Sequence, residues 1–159
     1  MRNVINEIVE KWGNGQNSLL QVLLAVQDAS PKNSIDEDAV NEIAHALGVS
    51  RSRVYSTASF YSEISLKPRG RHIVRVCINA PCENAGKNAI ITALENELGI
   101  KLGETTPDGQ FTLEGVSCLG ACYVSPAIKI DHDLHGSLTA ESAIAIVRKY
   151  QGEGKPDEQ

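Results

Sequence analysis

All four cysteines of this 159-residue chain stand in two short pairs. The stretch "VCINAPCENAG" holds Cys77 and Cys82, with four residues between them. The stretch "SCLGACYVSP" holds Cys118 and Cys122, with three residues between them. Four thiolates brought together can bind one iron–sulfur cluster or one tetrahedral zinc ion. Both kinds of site are candidates at this point.

The spacing within the pairs favours an iron–sulfur cluster. Zinc-binding pairs usually sit on tight knuckles with two intervening residues, whereas a C-x4-C step suits a loop around a larger object. The chain lacks the C-x2-C steps of plant-type and bacterial ferredoxins, and the C-x-x-C motif of redox dithiols. Structural disulfides do not fit the reducing compartment that the rest of the sequence indicates. An iron–sulfur cluster is therefore the preferred role of the four cysteines, a zinc site is the second choice, and a pair of disulfides is the last.

Small and apolar residues surround both pairs. Gly86 and Gly120 allow the backbone to pass close to a sulfide ion. Pro126 follows the second pair, and the sequence leaves open whether its peptide bond is cis. We expect a small dry shell, formed by Ala80, Pro81, Leu119, Ala121 and Val124. Three basic residues of this region could partly offset the negative charge of a cluster, but a solvated surface role is the preferred interpretation of each: Arg75, Lys87 and Lys129.

The elements that must position the cysteines fall into two parts. Residues 1–66 contain apolar stripes at helical spacing and predict a bundle of short helices. Residues 70–150 predict the order β, α, β, β, α, with room for one more short strand in "HDLHGSLT". This is a small α/β sandwich with each cysteine pair at or just after the end of a strand, where loops converge. Residues 151–159 predict a flexible tail.

Helix boundaries can be predicted from local signals. The third helix is expected to begin near Ser34 or Asp36 and to end at Gly48. Ser50 is expected to begin the fourth helix, and Thr139 the last. The first helix has an apolar stripe that consists of Val4, Ile5, Ile8, Val9 and Trp12. The helix after the first cysteine pair has a stripe that consists of Ala89, Ile90, Ala93, Leu94 and Leu98.

Composition excludes several classes of function. The net charge of −5 and the pI of about 5.4 disfavour binding to nucleic acid. The N-terminal stretch has no signal-peptide pattern, and no run approaches the roughly 20 apolar residues of a membrane span. We therefore expect a cytoplasmic protein that does not itself insert into a membrane, although it can lie at the periphery of a membrane complex.

Two further patterns concern the class of function. Residues 36–61 resemble a helix-turn-helix, but their four acidic and two basic side chains disfavour contact with phosphates, which makes a plain helix pair the preferred interpretation. The sequence contains no G-x-G-x-x-G, Walker, nucleophile-elbow or HExxH motif. We therefore expect a chain that relays electrons to a partner on which the chemistry takes place.

The combined pattern resembles the thioredoxin-like [2Fe–2S] ferredoxin family. The resemblance rests on C-x4-C, the later C-L-G-A-C with its proline, and the flanking stretches "ALGVSRSRVYSTASFYSEISLKPRGRHIVRVC" and "LGETTPDGQFTLEGVSCLGAC". It covers about residues 15–150. The family includes the E-type subunits of NADH dehydrogenase (complex I) and the gamma-type subunits of NAD(P)-linked hydrogenases and formate dehydrogenases.

The resemblance carries definite implications for fold and function. It implies an α+β fold, with an N-terminal helical bundle followed by a thioredoxin-like α/β sandwich. It implies one [2Fe–2S] cluster held by Cys77, Cys82, Cys118 and Cys122, with no catalytic residue. It also implies an electron-transfer subunit of a multi-subunit NAD(P)H-linked oxidoreductase, with a flavin-bearing nucleotide-binding subunit and further iron–sulfur subunits as partners. The alternative is a zinc-stabilised or helix-turn-helix interaction module without a redox role.

Overall fold

The computed structural model describes residues 2–13 and 16–151, and it divides into two compact units between Arg69 and Gly70. The helices of the first unit are α1 (Arg2–Trp12), α2 (Leu19–Ala29), α3 (Glu37–Leu47) and α4 (Arg51–Phe60), with a short 3-10 turn at Gln16–Ser18. Except for Gln151, the predicted tail 151–159 lies outside the described residues. Gln151 itself is the last residue of α7 (Ala140–Gln151).

The predicted boundaries of α3 and α4 are confirmed. The side chain of Asp36 accepts a hydrogen bond from the backbone N–H of Ala39 at 2.8 Å, and the hydroxyl of Ser50 accepts one from the N–H of Arg53 at 3.2 Å. Each bond satisfies a backbone donor that has no partner within the helix. Gly48 ends α3, as its sequence position predicts.

The helical unit buries an apolar core of its own. Residues from every helix contribute to it, with Val22, Leu23 and Ile43 fully buried. Two members of the predicted α1 stripe are exposed, Val4 at 38% and Trp12 at 49%, whereas Ile5 and Val9 are buried. An amphipathic pattern identifies the apolar side of a helix, but it does not show which residues of that side the rest of the fold covers.

The second unit is built on a single four-stranded sheet among the described residues. Its strands are β1 (His72–Cys77), β2 (Phe111–Val116), β3 (Ile128–Ile130) and β4 (Asp133–His135), in the spatial order β2-β1-β3-β4. β1 pairs in parallel with β2 and antiparallel with β3, and β3 pairs antiparallel with β4. A short helix, α5 (Ala80–Asn84), and a longer one, α6 (Lys87–Leu98), connect β1 to β2.

The core of this unit lies between the sheet and the two long helices. α6 and α7 pack against each other, and their side chains join Val74, Leu113 and Ile130 of the sheet in one apolar cluster. The predicted α+β class is confirmed, with helices first and a mixed sheet after them. Thr139 caps α7 as predicted, by accepting from the N–H of Ser142 at 3.2 Å. Ala89 is exposed instead of lying on the buried face of α6.

Candidate metal centre

The parallel pairing of β1 with β2 brings the two cysteine pairs to one edge of the sheet. Cys77 is the last residue of β1 and stands opposite Val116, the last residue of β2. Cys118 follows only two residues later. Since parallel strands end at the same edge, both cysteine segments leave the sheet side by side. The sequence predicted the strands, and their parallel register makes the two pairs neighbours.

The short helix α5 turns the chain back after Cys77 and carries Cys82. Asn79 precedes its first turn, and Pro81 occupies an early position where a missing N–H costs nothing. Cys82 is only 4% exposed as a result. Periodicity could not have predicted a helix of five residues, because one turn carries no repeating pattern.

The second pair lies on a tight turn. Gly120 has a φ of +72°, a backbone conformation that a side chain disfavours, and its N–H donates to the sulfur of Cys118 at 3.2 Å. Cys122 then opens a 3-10 turn, Cys122–Val124. This hydrogen bond confirms that the backbone at Gly120 passes close to a cysteine sulfur. The peptide bond between Ser125 and Pro126 is cis.

All four thiols line one small pocket. The other lining residues are apolar: Leu119, Ala121 and Ala127. Each cysteine is a free thiol, so the predicted pairs are not disulfides. Cys77 and Cys82 form the buried side of the pocket, and Cys118 and Cys122 form its exposed side.

The electrostatics of the pocket reflect the convergence of four sulfurs. The negative charge of Cys118 is the largest cause that raises the pKa of Cys122, followed by desolvation, by a hydrogen bond with Cys118, and by the charges of Cys82 and Cys77. The three neighbouring sulfurs thus disfavour ionisation of Cys122. Within residues 2–13 and 16–151, no group of three or more His, Cys, Asp or Glu side chains is arranged to hold a single metal ion. Four soft sulfur donors around one small, apolar pocket fit an iron–sulfur cluster.

Two polar contacts reach the sulfurs of the first pair from the second segment. The thiol of Cys77 donates to the carbonyl oxygen of Ser117 at 3.6 Å, and the sulfur of Cys82 lies 3.5 Å from the hydroxyl oxygen of Ser125. Sequence reasoning did not identify Ser125, since the two residues are 43 positions apart. Its only local signal was a hydroxyl residue between the second pair and Pro126.

The expected shell is partly wrong. Ala80 and Pro81 are exposed at the start of α5, whereas Ala127, which no sequence pattern singled out, lines the pocket. Leu119 and Ala121 line it as expected.

Two of the basic residues also differ from their predicted solvated role. Lys87 is only 6% exposed, and its ammonium group donates to backbone carbonyls of the first cysteine segment. The side chain of Arg75 is 11% exposed and lies 3.4 Å from the carboxylate of Glu114. Lys129, on β3, is half-buried.

In the part of the chain that the structure describes, no helix is both long and apolar enough to cross a membrane.

Comparison with known proteins agrees over nearly the whole chain. Residues 5–151 match the model of the family described as thioredoxin-like [2Fe-2S] ferredoxin. The second E subunit of the NADH-quinone oxidoreductase of Rhizobium meliloti (strain 1021) is 35% identical over 151 residues, which are 95% of this chain and 89% of that protein. The E subunit of the NADH-quinone oxidoreductase of Escherichia coli (strain K12) is 35% identical over 150 residues, which are 94% of this chain and 89% of the relative.

A solved structure supports the same fold. The NAD+-reducing [NiFe]-hydrogenase in its air-oxidized state superposes with a TM-score of 0.76 at 23% identity and covers 89% of this chain. The present chain spans only 24% of that hydrogenase chain. At this level of identity the likeness concerns the fold, and it confirms the thioredoxin-like architecture expected from the sequence.

Proposed function

This chain belongs to the thioredoxin-like [2Fe-2S] ferredoxin family, and on that premise we propose that Cys77, Cys82, Cys118 and Cys122 are the ligands of its one [2Fe–2S] cluster. The observation that supports this assignment is the convergence of all four thiols on one apolar pocket. The donor set also fits, because an all-thiolate site is the usual coordination of a two-iron cluster.

The chain functions as an electron-transfer subunit of a multi-subunit NAD(P)H-linked oxidoreductase. When bound, a [2Fe–2S] cluster supplies the transfer of one electron at a time. The residues of the chain bind that group, exclude water from its buried side through Leu119, Ala121 and Ala127, and leave Cys118 and Cys122 at the surface. The subunit is an electron relay, and it is not catalytic in isolation.

We infer that the complex is an NADH-quinone oxidoreductase, and two relatives support this inference. The family resemblance implies several complexes, and these two relatives favour NADH-quinone oxidoreductase over a hydrogenase or a formate dehydrogenase, since each is named as an E subunit of that enzyme. The zinc-stabilised or helix-turn-helix alternative has no support in these matches.

The partner that fits this role bears a flavin and binds NAD(P)H, and further iron–sulfur subunits complete the relay. A flavin can accept a two-electron hydride and release its electrons singly, which a two-iron cluster cannot do alone. The partner is expected to approach on the side of Cys118 and Cys122, where the side chain of Tyr123 is 83% exposed. Neither nucleic acid nor direct membrane insertion belongs to this role. A cytoplasmic location, including the periphery of a membrane complex, suits four free thiols.

Metal analysis of protein purified anaerobically from its native host tests the proposal. We expect about two irons and about two acid-labile sulfides per chain, a red-brown colour, and one rhombic EPR signal after reduction. Stoichiometric zinc in place of iron, with colourless protein, would overturn it.

A further inference from the structure

Lys87 places a buried positive charge beside the first cysteine segment. Its ammonium nitrogen donates to the carbonyl oxygen of Ile78 and, at 3.3 Å, to that of Asn79. The same nitrogen lies 3.4 Å from a carboxylate oxygen of Glu83. Ile78 directly follows Cys77, and Glu83 directly follows Cys82. All three contacts therefore fall on the segment that joins or borders these two cysteines.

The position of Lys87 is unfavourable for a lysine in two respects. Removal of an ammonium group from water is costly unless the group is paired and hydrogen-bonded. Lys87 is also the first residue of α6, where the helix dipole disfavours a positive charge. The stability of α6 does not account for this lysine, since acidic side chains are the ones that stabilise a first helical turn. The compensating contacts lie in the cysteine segment.

We propose that Lys87 is a positioning residue that holds the segment between Cys77 and Cys82 and, through its buried charge, raises the reduction potential of the cluster. This inference rests on the proposed function, since it presupposes that Cys77 and Cys82 bind the cluster.

The positioning role follows from the two carbonyl contacts. Ile78 and Asn79 connect the end of β1 to α5, and Asn79 is the N-cap residue of α5. Because both carbonyl oxygens accept from one ammonium group, the conformation of the backbone that leads from Cys77 toward α5 is constrained. Since α5 carries Cys82, Lys87 fixes where the second thiol stands relative to the first.

The effect on potential follows from charge. A cluster held by four thiolates carries about two negative charges when oxidised and about three when reduced. A nearby positive charge therefore stabilises the reduced form more than the oxidised one. Water and salt screen an exposed lysine strongly, but they screen a side chain that is 7% exposed much less. Glu83, which is 57% exposed, offsets the charge of Lys87 only in part.

Three variants of the full chain test the proposal. Lys87→Met removes the charge and every donor, Lys87→Gln removes the charge but keeps an N–H donor, and Lys149→Met removes a charge from the exposed side of α7. The measurements are the midpoint potential from an EPR-monitored redox titration, the iron content after exposure to a chelator, and the circular dichroism spectrum as a check on folding.

We expect both Lys87 variants to shift the one-electron equilibrium toward the oxidised form by about tenfold, which is a midpoint potential lower by about 59 mV. Lys87→Met is also expected to lose iron to the chelator faster than Lys87→Gln, because only the glutamine variant can still bond a carbonyl of the segment. Lys149→Met is expected to match the wild type in both measurements.

Wild-type midpoint potentials in both Lys87 variants would overturn the proposal. A shift in Lys87→Met alone would also overturn it, because both variants remove the charge and the charge would then not be the cause of the shift. Loss of the whole fold in both variants would contradict a role confined to the cysteine segment. Wild-type protein without an iron–sulfur cluster would instead contradict the proposed function. The two failures are therefore distinguishable.

Discussion

The hydroxyl oxygen of Ser125 lies 3.5 Å from the sulfur of Cys82, across the gap between the two cysteine segments. A cysteine that binds iron is a thiolate and has no proton to give, so in the loaded protein the hydroxyl group must be the donor. Hydrogen bonds to the sulfurs are among the features that set the potential of an iron–sulfur site. Ser125 is therefore expected to affect the reduction potential of the cluster through its hydrogen bond to Cys82.

Ser125→Ala is expected to lower the midpoint potential of the cluster. The lost hydrogen bond stabilises negative charge on the sulfur, and that charge is larger in the reduced state. We expect a shift below tenfold in the one-electron equilibrium, or less than about 59 mV, measured by redox titration. Ser117→Ala is the matched control, because Ser117 contacts Cys77 through its backbone carbonyl and not through its hydroxyl. Equal potentials in the two variants would contradict the prediction.

Serine in place of any one of Cys77, Cys82, Cys118 or Cys122 is expected to deplete or alter the cluster. Each thiolate fills one of four coordination positions, and a hydroxyl is a poor substitute for a soft sulfur ligand. Iron content and the EPR spectrum provide the measurement, with Ser117→Ala again retaining the cluster. Cys82→Ser protein with wild-type iron and an unchanged spectrum would show that the ligand set is wrong.

The isolated chain is expected neither to bind NADH tightly nor to oxidise it with an artificial electron acceptor. A one-electron site cannot accept a hydride, and a flavin must divide the electron pair first. The assay compares the purified chain alone with the chain co-expressed with its flavoprotein partner. Turnover by the lone chain, in preparations shown to be free of flavin, would remove the basis for a relay role.

We propose that residues 1–66 and 70–150 behave as separate domains, with the cluster in the second. Ile43 and Ile130 are both fully buried, the first in the helical core and the second in the sheet. Replacement of either with alanine is expected to cost about 2–5 kcal/mol in the free energy of unfolding of its own unit. Ile43→Ala should leave the thermal loss of visible absorption unchanged, whereas Ile130→Ala should lower its midpoint. Equal shifts in both variants would argue for one cooperative unit.

Arg148→Ala is expected to reduce thermal stability in a pH-dependent manner. The guanidinium of Arg148 donates to both carboxylate oxygens of Glu97 at 2.7 and 2.9 Å, and so lowers the pKa of Glu97 below its ordinary value of 4.5. A carboxylate whose pKa is lower in the folded state than in the unfolded state stabilises the fold at any pH above its unfolded-state pKa. This stabilisation is lost as the pH falls through the folded-state pKa. The difference in melting temperature from the wild type should therefore be small at neutral pH and disappear as the pH falls below 4.5 and through the lowered pKa of Glu97.

Lys149→Ala provides the control for this experiment, since it removes a neighbouring exposed charge from the same helix. A difference between Arg148→Ala and the wild type that persisted unchanged in acid would mean that the ion pair with Glu97 is not its source.

The sequence by itself determined the features that depend on neighbours along the chain. Asp36 and Ser50 cap their helices because a cap needs only a side-chain oxygen and an N–H three residues later. The sequence also indicated a cluster, because the chemistry of four thiolates depends on the residue types and their spacing. The proposed ligands are Cys77, Cys82, Cys118 and Cys122.

Only the tertiary structure decided which side chains lie around those cysteines. Lys87 looked like a solvated surface residue, but the fold buries it, and the residues between β1 and α5 supply its carbonyl partners. Ser125 reaches Cys82 because β1 pairs with both β2 and β3, which brings together segments that are distant in sequence. Burial and charge are set by everything that packs nearby, and a linear pattern carries no record of those contacts.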